Sequence, residues 1–425
     1  MEFVRKNINR GVIVNYGMTD QFKSSYLSVD FILPLTAENA TGMSLLAGVM
    51  SRGCKAFPQM DKISRFLAKN YGASLSIHAG KAGEMEIFTV SANFLDDDYS
   101  IDHEPIYSNM LGFLEELILN PLVTEKGFYE EIFDQEVKNL SDKMAALFND
   151  KRLFSLERCK AIMCADEPFG INEMGDEETL KSFDAETLYS FYKRMIADAF
   201  IVVSYVGKKK DLADTFLQRF SARKKLDFQA SFKNVGEIKE VVEPMNLNQS
   251  KLNLGFRLGE NAAKNGAACR LFNVLYGGSA NSKLFMNVRE RLSLCYYCSS
   301  SIDRFKNVMF VSSGIESEKY QQARNEIEAQ LRAIACGDFS DEEFNNAKAY
   351  LIDSIRGSYD SKSAIAAAMV SRTLRDEQKT TDQEIKEIES VTRDEVISIA
   401  KEIQLDTVYF LKGVSISSGS HIDQF

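Results

Sequence analysis

Arg289 and Tyr296 are the two side chains whose types and spacing best suit chemistry on a carbonyl group. They stand seven residues apart at the end of the run NVLYGGSANSKLFMNVRERLSLCY, from Asn273 to Tyr296. A guanidinium is a rigid fork of donors, and a phenol is a directional hydroxyl. Donors of this kind, aimed at the charged oxygen of a tetrahedral intermediate, stabilise the transition state of peptide hydrolysis. Gly277-Gly278 gives a turn upstream, and Leu284, Phe285, Val288 and Leu292 lie at the spacing of an amphipathic helix. On the bare residues a plainer reading has the stronger claim. Arg289 would be a surface-helix cation paired with Glu290 or Asp303, and Tyr296 a strand residue with a buried ring.

Other candidate groups carry less. The chain has three histidines, His78, His103 and His421, and no pair of them has the spacing of metal ligands. His78 reads as a half-buried strand residue, His103 as a loop residue and His421 as part of the tail. Asp96-Asp97-Asp98 lacks the glycine and spaced oxygens of a calcium loop and reads as a solvated turn. Cys295-x-x-Cys298 lies in a strand-like run, where residues three apart point to opposite faces. That spacing argues for structural cysteines. Seven cysteines at irregular spacing suit a reducing cytoplasm better than a disulfide framework.

The elements that must position these groups occur twice. Strands are expected at Tyr26–Leu33, Ala73–Ala79, Met85–Phe94 and Phe200–Val206. Helices are expected at Met43–Ser51, Lys62–Asn70, Ile106–Leu119, Glu125–Phe148, Lys151–Cys164 and Ala185–Met195. The second half repeats the order, with strands at Lys251–Leu258, Ser293–Ser300, Val308–Gly314 and Thr407–Leu411. Its helices are expected at Ala262–Leu275, around Arg289, and at Lys319–Cys336, Asp341–Ser358 and Arg393–Ile403. Phe183-Asp-Ala-Glu-Thr-Leu matches Val391-Thr-Arg-Asp-Glu-Val, Gly207 matches Gly413, and Thr124-x-x-x-Phe128 matches Ser340-x-x-x-Phe344. Such long repeats indicate a duplicated α+β domain, each copy a largely antiparallel sheet covered by helices. The expected boundaries are 1–225 and 249–425, with the polar stretch 226–248 as linker.

Composition narrows the function. With 51 basic against 61 acidic residues the formal charge is −10, which argues against a nucleic-acid binder. The short basic runs Lys208–Lys210 and Arg223–Lys225 read as solvated helix ends. MEFVRKNINR lacks the apolar core of a secretory signal, and no apolar run approaches the ~20 residues of a membrane span. A cytoplasmic protein without membrane contact is expected.

The glycine turn, the Ser282-x-Leu-Phe run and the Arg289–Tyr296 spacing together resemble the C-terminal substrate-binding element of the pitrilysin/insulinase zinc peptidases. The likeness is to their short, two-chain, mitochondrial-processing branch, and the duplicated halves extend it over nearly the whole chain. Among the family's branches the chain is most similar to a bacterial metal-free subunit named for an association with elongation factor P modification. One departure is Ser293, which stands where the family usually has glycine.

The resemblance implies a zinc motif, His-x-x-Glu-His, on the helix after the first strand, with the glutamate as general base. With Gly53 setting the register, those positions hold Ser44, Ala47 and Gly48. The third ligand belongs to a Glu-x6-Glu pattern on the later long helix. There Glu136 fits the first glutamate, but Lys143 stands at the ligand position, and its ammonium has no lone pair for a cation. On that helix Phe133, Val137, Leu140, Met144 and Leu147 form an apolar stripe. No metal and no catalytic residue acting alone is therefore expected on this chain. The resemblance implies a homologous partner that bears the zinc and an extended peptide substrate, with Arg289 and Tyr296 acting in trans. The alternatives are an assembly homologue without a catalytic role and a free-standing peptide binder.

Overall fold

The computed structural model describes residues 1–9, 11–208 and 233–414. Lys209, Lys210, Arg223–Lys225, His421 and the first part of the expected linker lie outside the described residues. Two sheets, each covered by helices, form the architecture, as the α+β expectation requires. Among the described residues no helix is long and apolar enough to cross a membrane.

The first sheet has six strands in the order β1-β2-β6-β3-β5-β4. These are β1 (Glu2–Asn9), β2 (Val12–Met18), β3 (Ser24–Pro34), β4 (Ser74–Ala82), β5 (Met85–Leu95) and β6 (Phe200–Gly207). All neighbours are antiparallel except β2 and β6. In β3, Leu27, Val29, Phe31 and Leu33 alternate into the core, while Ser28 and Asp30 face the other way. The first-half helices are α1 (Ala37–Ser51), α2 (Met60–Lys69), α3 (Ile106–Leu119), α4 (Glu130–Leu147), α5 (Lys151–Met163), α6 (Glu177–Lys181) and α7 (Ala185–Asp198).

The second sheet has the order β7-β11-β8-β10-β9, and only β7 and β11 are parallel. Its strands are β7 (Lys239–Met245), β8 (Ser250–Arg257), β9 (Cys295–Asp303), β10 (Val308–Ile315) and β11 (Gln404–Gly413). The described part of the expected linker thus contains a strand, β7. β7 alternates exposed and half-buried residues at a sheet edge, which made it read as polar chain. The second-half helices are α8 (Glu260–Lys264), α9 (Gly266–Asn273), α10 (Tyr320–Ala335), α11 (Asp341–Ser358), α12 (Lys362–Leu374), α13 (Thr381–Ser390) and α14 (Arg393–Glu402).

The matched sequence landmarks are helix starts. Asp184 and Thr392 cap α7 and α14, and each closes a capping box, with Thr187 and Glu395 respectively. A capping box satisfies two backbone donors that the helix leaves open, so its pattern survives where surface residues vary. Gly207 and Gly413 end the equivalent strands β6 and β11.

The two compact units are not contiguous halves. One comprises the described residues of Met1–Ala146, Ile171–Gln229 and Gly357–Thr380; the other comprises those of Leu147–Gly170, Ala230–Arg356 and Thr381–Phe425. The chain exchanges one helix in each direction. α5, from the first half, packs on β8 and β11 of the second sheet, and α12, from the second half, packs on β6, β3 and β2 of the first. Cys159, Met163, Cys164 and Phe169 join Val308, Phe310, Tyr409 and Leu411 in one buried cluster. Ile365, Ala366 and Met369 join Val206 in another.

Candidate functional site

The Arg289 segment is wound more widely than an α-helix. Val274–Gly278 and Leu284–Arg291 are π-helical, a winding often found where a side chain must be re-aimed. It changes the expected apolar face: Leu284 and Val288 are buried, Phe285 is half-buried and Leu292 is exposed. Gly277 is required by proximity. A Cβ there would lie 2.6 Å from Ser300 Oγ and 2.7 Å from the Ser300 nitrogen, so the first π turn sits directly on β9. At Gly278 a Cβ would press on the Asn273 side chain, 2.8 Å away. Lys283 Nζ pairs with Glu343 Oε1 at 2.9 Å, and Asn287 Nδ2 donates to Gln330 Oε1 at 2.7 Å. These bonds tie the segment to α11 and α10.

The Arg289 side chain is 41% exposed, stacks over the Phe285 ring with Cζ 4.6 Å from its centre, and pairs at 3.4 Å with the more exposed Glu290. Such a surface pair is worth little, about 0–1 kcal/mol, so it does not lock the guanidinium. Ser293 then turns the chain with φ of +49°, in the left-handed region that glycine prefers. The turn thus keeps glycine's conformation with a serine in its place. It is closed by Ser293 N donating to Arg289 O and Leu294 N to Val288 O, both at 3.0 Å.

At the start of β9 the ladder with β10 skips a residue. Gly314 pairs with Tyr297 and Ile315 with Cys295, leaving Tyr296 unpaired in a bulge. Tyr296 is 62% exposed, so its ring is not the buried strand residue of the plainer reading. The same bulge corrects the reading of the cysteines. Cys295 and Cys298 are two ladder steps apart rather than three, so both face inward and both are buried.

The helix expected to carry metal ligands is α1, held at its start by Thr36 capping Asn39 N at 3.1 Å. Ser44 Oγ donates to Glu173 O at 3.2 Å, and Ala47 is buried. A Cβ on Gly48 would fall 2.5 Å from Glu136 Oε2, so Glu136 fills the room a larger side chain would need. The buried Glu136 is already engaged: Arg52 Nε donates to its Oε1 at 2.6 Å, and a second Arg52 nitrogen pairs with the same oxygen. Lys143 is exposed on α4, while Phe133 and Leu140 form the buried part of the stripe and Val137, Met144 and Leu147 its half-buried margin. The donor set does not fit zinc. It offers one hydroxyl turned to a backbone carbonyl and one carboxylate held by a guanidinium, against the three nitrogen or oxygen protein ligands a catalytic site needs. Among the described residues, no three His, Cys, Asp or Glu side chains could hold a metal ion.

The remaining candidates are ordinary. His78 is exposed on the edge strand β4 rather than half-buried, and His103 is an exposed left-handed loop residue. Asp96 is buried and caps a short turn by accepting from Asp98 N at 3.2 Å, so the acidic run is an ordered turn rather than a wholly solvated one. Lys208 pairs with Asp98 at 2.6 Å. Sequence reasoning missed the Arg52–Glu136 pair, although Arg52, eight residues after Ser44, was visible as a cation at the C-terminal end of the helix expected to hold the metal.

Residues 182–351 match the family profile described as the peptidase M16 inactive domain. A protein of Bacillus subtilis (strain 168), named probable inactive metalloprotease YmfF, is 30% identical over 425 residues, covering 97% of this chain and 98% of that protein. The crystal structure of a conserved protein from Enterococcus faecalis V583 superposes with a TM-score of 0.90 at 28% identity, covering 98% of this chain and all of that one. The peptidase M16 inactive domain from Pseudomonas fluorescens superposes with a TM-score of 0.78 at 14% identity, covering 97% and 99% of the two chains, which speaks to the fold alone. With a full-length relative at this identity, the chain belongs to the peptidase M16 family.

Proposed function

We propose that this chain is the non-catalytic, substrate-gripping subunit of a heterodimeric zinc endopeptidase. A homologous partner would carry an intact His-x-x-Glu-His motif and its zinc, and an extended peptide would bind as an added strand at a sheet edge of that partner. Arg289 and Tyr296 would then direct a guanidinium and a phenol hydroxyl at the oxyanion formed on the peptide. The observation that carries this reading is the bulge. A strand tyrosine is turned out to solvent at a left-handed serine, next to an arginine held only by a weak surface pair. A fold kept solely for assembly has no need of that arrangement.

The test is reconstitution with the zinc-bearing homologue from the same cell. Arg289→Ala combined with Tyr296→Phe is expected to lower turnover by about a hundredfold or more with the heterodimer intact, the scale of losing an oxyanion donor. Unchanged turnover would favour the assembly homologue. Recovery of the native protein only as a homodimer, with no motif-bearing chain at any salt concentration, would sink the proposal. Measurable affinity for extended peptides without any partner would point to a free-standing peptide binder.

A further inference from the structure

Cys295 and Cys298 are free cysteines on an edge strand, and the bulge at Tyr296 gives them a shared inward face. Cys298 pairs with Ser313 and Cys295 with Ile315, so the two side chains project from the same face of the strand, two ladder steps apart. A regular strand forbids this, because residues three apart diverge; the skipped residue permits it. Their surroundings are unequal. Cys295 lies at the strand end with 9% of its surface exposed, beside the solvent-facing Tyr296 and within the field of the Arg289 guanidinium. Cys298 lies one turn of the pleat deeper, 4% exposed. The neighbouring Cys298 thiol, together with Ser313 and the Arg289 charge, outweighs burial and lowers the Cys295 pKa. The neighbouring Cys295 sulfur, with burial, pushes Cys298 well above the usual thiol value. That is the division of labour of an attacking and a resolving cysteine. The other five cysteines differ: Cys54, Cys159, Cys164 and Cys269 are buried thiols pushed upward by desolvation, and Cys336 is exposed.

We propose that Cys295 and Cys298 form a reversible dithiol site that reacts with low-molecular-weight disulfides such as oxidised glutathione, closing a Cys295–Cys298 disulfide beneath the Arg289–Tyr296 turn. In the first step the Cys295 thiolate attacks one sulfur of the small disulfide; a Cys295–S bond forms and one small thiolate leaves. In the second, the Cys298 sulfur attacks Cys295, its proton passes to the departing second thiolate, and the mixed disulfide breaks. Each cysteine sulfur gives up one electron, and the small disulfide takes both to become two thiols. Closing the bond removes the Cys295 thiol beside the Arg289 turn and fastens the bulge, so the modification acts on the element that presents Tyr296. This inference stands on the ladder and the thiols, independently of the proposed peptidase role.

The experiment uses the full chain carrying Cys336→Ser, which removes the exposed competing thiol. The folded protein is treated with oxidised glutathione, alkylated and mapped by mass spectrometry. Trypsin releases both cysteines in the single peptide Leu292–Arg304. That peptide is expected to be lighter by two hydrogens, closed to alkylation, and restored by dithiothreitol. Without oxidant, Cys295 should alkylate at least about tenfold faster than Cys159, following its thiolate character. Cys298→Ser should trap glutathione on Cys295, and Cys295→Ser should abolish both products. The proposal is overturned if both cysteines of the folded wild type stay open to alkylation after oxidation, or if Cys295 reacts no faster than Cys159.

Discussion

Two buried glutamates, one in each unit, meet the same problem with opposite results. Glu167, in the second unit, accepts from Arg257 at 2.5 and 3.1 Å and pairs with the buried Lys306 at 2.6 Å, while Arg257 also holds Asp406 at 2.9 Å. Burial alone would raise its pKa, but the hydrogen bonds and charges of the two cations hold it below the ordinary value. Glu86, in the first unit, is fully buried on β5, and neither carboxyl oxygen has a hydrogen bond. Burial, and then the charge of Glu173, push it up to about 9, with Lys81 opposing. Burial sets the cost of a charge, and only bonded partners decide whether the charge survives.

The difference follows from the helix exchange. Glu167 ends the segment that delivers α5 to the second sheet, so the ionic cluster fastens a first-half segment to second-half strands. In the opposite direction, three hydrogen bonds that join α12 and the residues just after it to the first sheet end on neutral acceptors. Asn15 Nδ2 donates to Thr373 Oγ1 at 2.9 Å, Arg5 Nη2 to Glu377 O at 3.0 Å, and Lys362 Nζ to Ser24 O at 3.1 Å. The largest expected effect comes from undoing the exchange. A fragment ending at Gly207 keeps β1–β6 but lacks α12, and its α5 has no second sheet to cover. Neither that fragment nor its complement should show a cooperative urea transition alone, and mixing them should restore one. Cooperative unfolding of the isolated first fragment would mean the exchange contributes little.

Within the intact chain the two fasteners should differ in strength. Glu167→Ala leaves Arg257 and Lys306 buried with an uncompensated charge and is expected to cost about 3–5 kcal/mol. Asn15→Ala removes the buried bond to Thr373 and the longer, part-buried one that Asn15 Oδ1 accepts from Arg5 Nε at 3.2 Å, and should cost about 1–2 kcal/mol. Urea denaturation of both variants measures the gap. Equal losses would break the contrast between ionic and neutral fastening.

Glu86 sharpens the comparison through pH. Burial pushes its folded pKa up to about 9, above the ordinary carboxyl value of 4.5, so between these values the folded state keeps a proton that the unfolded state has lost. The stability linked to that proton is fully present below pH 4.5 and drains away as pH rises toward 9, by up to about 1.4 kcal/mol per pH unit. Glu86→Gln should remove this decline. Relative to wild type, its urea midpoint should gain a few kcal/mol of stability between pH 5 and pH 8. Parallel pH profiles would show that Glu86 ionises in the folded protein.

Local patterns reported the duplication well. α3 and α11 fall at the expected residues, eight strands fall within a few residues of theirs, and the two capping boxes mark one repeated helix start. The helix exchange was illegible because an apolar stripe shows that a helix is covered, but not which of two similar sheets covers it. α12 was missed outright, since its run KSAIAAAMVSRTL has small residues on every side. The hairpin of β1 and β2 was also missed, its turn resting on Gly11 at φ +85°. At the candidate site, Arg289 and Tyr296 were visible as residue types. The π winding and the bulge that present them were not, because both depend on hydrogen bonds to β10 and to the turns around them.

Ser293 offers the smallest effect and the most local one. Its φ of +49° places a Cβ in the left-handed region, which costs a non-glycine residue roughly 1–2 kcal/mol. Its carbonyl also accepts from Lys319 Nζ at 3.2 Å, so the conformation is held from outside the turn as well as by the two closing backbone bonds. Ser293→Gly relieves the strain but gives the unfolded chain more freedom, and the two effects partly cancel. The net expectation is a gain of about 0.5–1 kcal/mol in urea denaturation, with the Tyr296 turn unchanged. Ser293→Val should go the other way by more than that, because a β-branched residue tolerates the left-handed region poorly. If glycine destabilised the protein while valine did not, the turn before Tyr296 would not be left-handed in solution, and the presentation of the tyrosine would need another cause.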